Sequence, residues 1–543
     1  SSSTPGNWND PNSWSSTAVG APGGDGTPTA GTIVIIGDVS HNHTITVSAN
    51  GAICGSLYIE QGSALDIGTT IGHNFASMPD KGVSGGGTLR IGSNNYFPAG
   101  DFGDFIGPDG GTVEYYTVNA NITIPTTSAS GLALTAYKNL KLTHSGAYTL
   151  TMPNQDITVY GDITISATVT PTGTARLNTT ASRTVTINGN LNINSGTFEF
   201  RTPAQTLTVL GNVTIASGAV FQVQNNAGVT HTLNIYGDLT ANGIFDVSQG
   251  TGYVNTYFKG TINATISGSS ATIDFYKFYV DKGTNTMPVL RLTTPITVTP
   301  STGQLVYLLN GTLRVDNSSL TVTLTVANTN FNIPSTACLS VNAGTCRVAY
   351  NTGGGAGDAD LILSGKLEVL GGTMIIGNTA DNTNNDIEYA SSGYPIIDIK
   401  GGQLIVNGQI RRSTIVVSGS LNYYQSGGNL TIYGRNQSVT RAKLEILNTG
   451  SLFNMSGGTI TLINDGGGSF GDLYLVPQSY SVTGGTIQFG DNTSTIGQIF
   501  NIFTSCPVYN LSIGTSTVDQ NVNLNVYNIS ILNNLTINGN SQF

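Results

Sequence analysis

The feature that most constrains this chain is a short phrase that recurs at intervals in the twenties of residues. The phrase consists of two glycines, a small polar residue or Gln, and then alternating apolar and polar residues. It begins at Gly86-Gly87, Gly110-Gly111, Gly371-Gly372, Gly401-Gly402, Gly427-Gly428, Gly457-Gly458 and Gly484-Gly485. The first two copies are 24 residues apart, and the last five are separated by 30, 26, 30 and 27 residues. Such self-similarity indicates a repeat architecture.

A second phrase, with one central glycine, fills the middle of the chain. Its copies are Ile157–Ile165, Val185–Ile193, Leu207–Ile215 and Leu233–Ala241, and their central glycines lie 28, 22 and 26 residues apart. Because apolar residues alternate with Thr or Asn, each half of the phrase is typical of a short strand with one buried face. The glycine between the halves permits a positive φ or a close-packed bend, as the corner of a coil requires.

This period predicts the fold class. Two or three strands of about four to six residues, with their turns, make up one coil of a β-helix. One coil cannot bury its apolar face alone, so neighbouring coils must stack. Sandwich repeats would be nearer ~80–100 residues, and propeller blades ~40–50. We therefore predict an all-β parallel β-helix, or β-solenoid, of about twenty coils, with Asn ladders at equivalent turns.

Composition supports this prediction and excludes several classes of partner. Glycine makes up 70 of 543 residues, and charged residues make up 9 %, against an ordinary ~25 %. A net charge of −10 and a pI near 4.8 argue against a nucleic-acid partner held by phosphate contacts. The sequence has neither a basic amphipathic stretch nor an apolar run of ~18 residues, so we expect no membrane insertion.

The two ends of the sequence differ from the repeats in opposite ways. Residues 1–50 hold both tryptophans, Trp8 and Trp14, and we predict that they form an N-terminal cap and the first strands, because the first coil of a solenoid has an open edge. A sugar-stacking site is the alternative for the two tryptophans. We predict solenoid repeats over 51–543 and expect the natural polypeptide to continue, since the coil phrase Leu535–Asn540 lies next to Phe543. The start lacks the regions of a signal peptide, which favours a mature secreted chain.

The four cysteines allow two predictions. Cys338 and Cys346 flank a short segment with Asn and Gly, which predicts a loop closed by a disulfide. Two reduced core residues are the alternative. Cys54 and Cys506 would lie near opposite ends of a linear solenoid, so we expect no bond between them.

The opening of the chain resembles the N-terminal module of large Bacteroidota surface proteins. In those proteins a G-N-W-x-D-P-x-x-W phrase leads into a P-x-x-G-x-x-V-x-I strand, which matches Gly6–Trp14, Pro28–Gly31 and Ile33–Ile35 here. The run Gly110–Tyr116 is similar to a phrase that recurs in the same proteins. The resemblance implies export by the type 9 secretion system, an extracellular cell-surface location and secretion or surface-anchoring proteins as partners. The largest of these proteins include gliding-motility adhesins.

Right-handed β-helices also carry polysaccharide lyases and hydrolases, so an enzyme is an alternative interpretation of this chain. Such reactions need paired carboxylates ~5–10 Å apart or a calcium cluster beside a base. Asp101, Asp104 and Asp109, in a Gly-rich loop, are a candidate calcium site, with turn hydrogen bonds as the alternative. Asp381 and Asp386, in an Asn-rich run, have the same two interpretations. We predict no catalytic residues and no cofactor other than calcium.

Adjacent aromatic residues are candidate ligand contacts. Tyr115 and Tyr116, like Tyr423 and Tyr424, should lie on opposite faces of a strand, so at least one of each pair should be exposed. Exposed tyrosines stack on sugars or anchor interfaces, although isolated surface tyrosines are common. We expect a cell-surface adhesin or filament segment, a stiff rod for attachment to a surface or polysaccharide and a candidate component of gliding motility. The alternative is a carbohydrate-active β-helix enzyme or a polysaccharide-binding module.

Overall fold

The computed structural model describes residues 6–168, 173–225, 228–298, 304, 306–325, 329–350, 359–380, 383–413, 419–435, 441–466, 470–525 and 528–543. The chain forms two compact units, Ser1–Tyr257 with Ser267–Tyr276, and Phe258–Ile266 with Lys277–Phe543. We call them unit 1 and unit 2. Both are built from parallel β-strands in a solenoid of about 18 turns in all, which confirms the predicted fold class.

Helix is almost absent from the described residues. They contain one 3₁₀ helix, Pro11–Ser13, and one short α-helix, α1, at Gly103–Ile106. None of the described helices has the length and apolar character needed to span a bilayer.

Most strands are short, as the alternating phrases predict, but four strands of unit 2 have 12 to 19 residues. The first group is β1 Gly6–Asn7, β2 Ile33–Ile36, β3 Thr44–Thr46, β4 Ser56–Ile59, β5 Ala64–Asp66, β6 Val83–Ser84, β7 Thr88–Ile91, β8 Thr112–Tyr116, β9 Ile122–Thr123, β10 Ala136–Tyr137, β11 Asn139–His144, β12 Leu150–Thr151, β13 Ile157–Val159, β14 Ile163–Ala167, β15 Ala175–Arg176, β16 Thr184–Ile187, β17 Leu191–Ile193, β18 Thr197–Phe200, β19 Thr206–Val209, β20 Val213–Ile215, β21 Val220–Val223, β22 Val229–Ile235, β23 Leu239–Ala241, β24 Ile244–Asp246 and β25 Ser248–Gln249. The second group is β26 Gly252–Lys259, β27 Ala264–Ser267, β28 Ile273–Phe275, β29 Lys277–Asp281, β30 Val289–Leu292, β31 Thr297–Val298, β32 Val306–Thr323, β33 Phe331–Ile333, β34 Ala337–Val348, β35 Leu361–Leu363, β36 Lys366–Val369, β37 Thr373–Ile376, β38 Ile387–Tyr389, β39 Ile396–Ile399, β40 Gln403–Val406, β41 Ile410–Arg412, β42 Asn422–Gln425, β43 Asn429–Ile432, β44 Leu444–Leu462, β45 Leu473–Phe489, β46 Ile499–Thr504, β47 Val508–Ile513, β48 Asn521–Leu524 and β49 Ile531–Ile537.

Unit 1 stacks its coils along three lines of parallel strands. The lines are β3-β5-β7-β8-β11-β14-β17-β20-β23, β10-β13-β16-β19-β22 and β9-β12-β15-β18-β21-β24-β28. In the first line, the register aligns a column of fully buried side chains: Leu65, Leu89, Val113, Leu140, Ile163, Leu191, Val213 and Leu239. The predicted period is thus the length of one coil.

Aromatic rings fill part of the third line of unit 1. Phe198, Phe221 and Phe245 occupy equivalent positions in successive coils, and their ring centroids are 5.7 Å apart at each step. Phe275 continues the stack at 5.0 Å. Burying one such side chain stabilises the fold by roughly 1.5–3 kcal/mol, so the apolar column holds each coil to the next.

The central glycines of the second phrase pack against one another at a corner. Gly211 donates its N–H to the carbonyl of Gly189 at 2.9 Å, and Gly237 donates to Gly211 at 3.0 Å. A Cβ on Gly237 would lie 2.6 Å from the carbonyl oxygen of Gly211. Close packing is therefore the reason for glycine here, which is one of the two predicted reasons.

Beside these glycines runs a ladder of Asn and Asp side chains that bond to the backbone, whereas the predicted ladder consists of Asn amides alone. The Oδ1 atom of Asn190 accepts the backbone N–H of Asn212 at 2.9 Å, and Oδ1 of Asn212 accepts that of Asp238 at 2.8 Å. Asp162 accepts the backbone N–H of Asn190 in the same way, at 2.7 Å. Each side chain thus satisfies a main-chain donor of the next coil, where the strand ladder is interrupted.

Unit 2 repeats this plan with longer strands that run through the corners. Its lines are β36-β39-β42-β44-β45, β37-β40-β43-β44-β45-β47-β49 and β35-β38-β41-β44-β45-β46-β48. At the corners the second glycine of the Gly-Gly phrase has a positive φ, for example +61° at Gly402 and +64° at Gly428. A side chain would be strained in this conformation, so these corners use the other predicted property of glycine.

The N-terminal segment packs onto the first coil of unit 1. Strand β1 pairs with β3, and Trp8 is buried with its ring 5.2 Å from both Trp14 and Phe75. The indole N–H of Trp14 donates to the carbonyl of Trp8 at 2.9 Å. Residues 1–5 lie outside the described residues, and the capping role of 1–50 stays a prediction.

Candidate functional site

One line of unit 2 carries a row of outward-facing polar residues. The β-strand register places them directly opposite one another in successive coils, in the order Arg314, Ser340, Glu368, Asp398, Tyr424 and Asn454. The residues that precede them in sequence point inward. Leu367, Ile397 and Tyr423, for example, are each at most 1 % exposed. The alternation of each strand therefore places one residue per coil in a continuous row on the outer face of the sheet. Within this row Ser340 and Glu368 are buried by their neighbours.

Ionic side chains cluster in the middle of this row. The ammonium of Lys366 contacts Glu368 Oε1 at 2.7 Å and Asp398 Oδ2 at 2.8 Å. Lys400 contacts the same two carboxylates at the longer distances of 3.4 and 3.3 Å, and Arg314 contacts Glu368 at 3.3 Å. We call these five residues the ion cluster. It holds three cations and two carboxylates.

The electrostatics keep both Lys366 and Glu368 ionised. Burial alone raises the pKa of Glu368, but the hydrogen bond and charge of Lys366, helped by Ser340 and Lys400, outweigh it and lower the pKa to about 2. Burial lowers the pKa of Lys366, but the bonds from Asp398 and Glu368 outweigh that effect and raise it. Glu368 is therefore a fixed anion at neutral pH, and a poor donor of protons.

A groove of about 390 Å³ opens beside the ion cluster. Ile396 and Tyr424 supply apolar surface to it, and the charged residues Lys366, Asp398 and Lys400 also line it. Asn454 and the hydroxyl-bearing Ser456 line it further along the row. We call it the Tyr424 groove. An aromatic ring among hydrogen-bonding groups suits a ligand with both an apolar face and polar substituents.

The four predicted tyrosines have different surroundings. Tyr115 and Tyr423 are fully buried, because the strand alternation turns them into the core. The prediction that these two tyrosines contact a ligand is therefore wrong. Tyr116 lies outside, but its hydroxyl donates to Asp66 at 2.6 Å and the Arg90 guanidinium lies 4.7 Å from its ring centroid. Tyr424 lines the groove beside the ion cluster.

The predicted calcium ligands do not come together. Asp101, Asp104 and Asp109 are all exposed, and Asp101 accepts the backbone N–H of Gly103 at 3.1 Å, as a turn residue does. Asp104 lies in the first turn of α1, where the helix dipole favours an acidic side chain. Within the described ranges, no three acidic, His or Cys side chains form a group that could hold a metal ion.

The predicted disulfide is not formed. Cys338 and Cys346 are both buried free thiols, as are Cys54 and Cys506. Both lie on β34, but Cys338 is opposite Lys366 on β36 and Cys346 is opposite Met374 on β37. The extended chain between them separates the two thiols onto different lines of the solenoid, so proximity in sequence does not bring them into contact.

Sequence reasoning missed the ion cluster, although the repeat contains a signal for it. Glu368, Asp398, Tyr424 and Asn454 each lie three residues before the first glycine of a Gly-Gly phrase. Aligning the copies on their glycines would have placed these residues in one row. Lys366 lies two residues before Glu368 on the same strand and therefore on the same face.

A second group of ionisable residues in unit 2 is largely buried. Asp386 has no exposed surface and forms ion pairs with Arg411, which also contacts Glu388 at 2.7 Å. Asp360 accepts the backbone N–H of Asp386 at 2.8 Å, and burial, with the charge of Asp386, raises the pKa of Asp360 to about 7. Asp381, paired with Asp386 in the sequence, lies outside the described residues. These contacts are those of a structural network across coils.

Searches against protein-family models, curated proteins and solved structures find no match to this chain.

Proposed function

We propose that this chain is part of a secreted cell-surface adhesin, in which a stiff β-solenoid displays a polysaccharide-binding groove. The observation that carries the proposal is the Tyr424 groove, where an aromatic ring lies beside Asp398, Lys400 and Asn454. Stacked coils support a display role, because each coil is bonded to its neighbours along continuous backbone ladders. The resemblance of Gly6–Trp14 to surface proteins exported by the type 9 secretion system supports the location and, with it, a role in surface attachment or gliding.

Three measurements test this proposal. Antibodies against the chain should label the surface of intact native cells, and the purified chain should be retained by columns of at least one extracellular polysaccharide. Beads coated with the chain should attach to that polysaccharide, whereas beads coated with the Tyr424→Ala variant should not. Labelling only after the cells are broken would overturn the proposed location, and equal attachment of both kinds of bead would overturn the groove.

A polysaccharide-cleaving enzyme is the second candidate, and the neighbouring carboxylates Glu368 and Asp398 favour it. Glycoside hydrolysis needs one protonated carboxyl to donate to the leaving oxygen. The pKa of Glu368 is lowered to about 2, so Glu368 stays ionised at neutral pH and is unsuited to be that proton donor. Prolonged incubation with polysaccharides should therefore release no reducing ends and no unsaturated sugars; release that Glu368→Gln abolishes would favour the enzyme.

A further inference from the structure

The ion cluster carries more positive than negative charge, in a chain whose net charge is −10. Arg314, Lys366 and Lys400 form ion pairs with the two carboxylates of Glu368 and Asp398. The charge of Arg314 also acts on Asp316, but that carboxylate is already paired with Arg291. When all five groups are ionised, one positive charge is left over beside the Tyr424 groove. Such a local excess of positive charge attracts an anionic group of a ligand, although the net negative charge of the chain repels it.

Lys400 is the cation best placed to meet that ligand. Its side chain is 49 % exposed, against 22 % for Lys366, and both of its contacts are longer than those of Lys366. Lys366 alone already joins the two carboxylates at 2.7 and 2.8 Å. Lys400 can therefore turn towards a ligand without leaving Glu368 and Asp398 unpaired, and its long, flexible side chain allows this movement.

Tyr424 and Asn454 provide the remaining recognition. The ring of Tyr424 is half-buried and lines the groove together with Ile396, which suits the C–H face of a sugar ring. Asn454 is opposite Tyr424 in the next coil, so its amide lies one strand spacing away, within reach of a hydroxyl on the same sugar. The order Lys400, Tyr424, Asn454 along the groove matches a sugar with its charge at one end.

From these positions we infer that the Tyr424 groove binds an acidic polysaccharide, with the sugar ring on Tyr424 and its carboxylate or sulfate on Lys400. This inference rests on the proposed function and adds the class of ligand. A neutral polysaccharide would leave the excess positive charge of the ion cluster uncompensated. Uronate-bearing and sulfated sugars both carry the anionic group that Lys400 requires. Measuring the binding of each class separately distinguishes them.

The test measures binding of three sets of oligosaccharides, uronate-bearing, sulfated and neutral, to the purified full chain by calorimetry. We expect the acidic sets to bind and the neutral set to bind at least tenfold more weakly. Lys400→Gln should weaken acidic binding about tenfold, as the loss of one charge-assisted contact predicts. Lys400→Arg should keep most of the affinity, and Tyr424→Ala should reduce it about tenfold.

Lys141→Gln is the matched control, because Lys141 is a half-exposed lysine paired with Glu114 at 3.1 Å on unit 1. It should bind all oligosaccharides as the unchanged chain does, and circular dichroism should show the same strand content in every variant. Neutral oligosaccharides that bind as tightly as acidic ones, or Lys400→Gln with unchanged affinity, would overturn the inference while leaving polysaccharide binding intact. If no oligosaccharide binds and coated beads attach to no polysaccharide, the proposed function fails as well.

Discussion

Glu368 lies directly opposite Asp398 on a neighbouring strand, and the ammonium of Lys366 joins their carboxylates at 2.7 and 2.8 Å. Like charges in this arrangement repel each other across the sheet. Lys366→Met removes the shared cation, and we expect it to lower the free energy of unfolding of unit 2 by about 2 kcal/mol, between the values for exposed and buried ion pairs. Denaturant unfolding, followed by hydrogen exchange in β36 and β39, measures this loss.

Lys400→Met is the control for this prediction. Lys400 is more exposed and contacts the same carboxylates at 3.3 and 3.4 Å, so its loss should cost under ~1 kcal/mol. Equal losses in the two variants would show that Lys366 does not hold the carboxylates together.

Asp360 makes unit 2 sensitive to pH. Burial first, and then the charge of Asp386, raise the pKa of Asp360 to about 7, whereas it is about 3.9 in an unfolded chain. The folded state therefore keeps a proton that the unfolded state releases, and this contribution to stability is lost as the pH rises from about 4 to about 7. Asp360→Asn keeps the oxygen that accepts the N–H of Asp386 and removes the titration.

We expect Asp360→Asn to raise the free energy of unfolding of unit 2 by about 3 kcal/mol at pH 8 and to change it little at pH 4. Thermal unfolding at the two pH values tests this. A stabilisation by Asp360→Asn that is the same at pH 4 and pH 8 would contradict the pKa assignment.

Gly211 tests the packing of the corners in unit 1. A Cβ on this residue would overlap the carbonyl oxygen of Gly189 in the preceding coil, and backbone at a stacked corner cannot move aside easily. Gly211→Ala should therefore destabilise unit 1 by about 3 kcal/mol. Gly218→Ala is the matched control, since Gly218 has a φ of +81° and open space around its Cα, and strain alone should cost about 1 kcal/mol. Urea unfolding should rank the two variants in this order.

The fold could be predicted because the same pattern of strands and turns recurs in many copies along the sequence. The spacings of 30, 26 and 30 residues between the Gly-Gly phrases at Gly371, Gly401, Gly427 and Gly457 recur in the register that joins Leu367, Ile397, Tyr423 and Phe453. Alternation also put adjacent tyrosines on opposite faces, as Tyr423 and Tyr424 show. The alternating sequence pattern determines the conformation of one coil, and because the coils stack, that conformation is repeated in the next coil.

The site was harder to predict because it depends on contacts between coils. The alternation of a strand does not show which tyrosine of an adjacent pair points into the core. In the structure Tyr423 is the buried one, which leaves Tyr424 as the candidate ligand contact. Asp101, Asp104 and Asp109 are near one another in sequence, yet the residues that meet, Glu368 and Asp398, are 30 apart. Proximity along a solenoid chain is thus a poor guide to proximity in space, and the same error produced the predicted disulfide.

Acid should destabilise unit 1 through His231, whereas it should stabilise unit 2 through Asp360. It is fully buried, its Nδ1 accepts the backbone N–H of Gln205 at 3.0 Å, and its ring lies 5.1 Å from that of Phe200. Burial lowers the pKa of His231 to about 4, so the folded state excludes a proton that the unfolded chain binds below about 6.5. Its contribution to stability is full above about pH 6.5 and is lost as the pH falls towards 4.

We expect unit 1 to lose about 3 kcal/mol of stability through His231 between pH 7 and pH 4. His231→Gln keeps an acceptor and cannot take up this proton, so it should flatten the pH dependence of hydrogen exchange in β19 and β22, even if it lowers the stability at pH 7. His41→Gln, at an exposed histidine of the same unit, should leave the profile within ~1 kcal/mol of the unchanged chain. A profile for His231→Gln as steep as that of the unchanged chain would mean that acid acts on unit 1 through other groups.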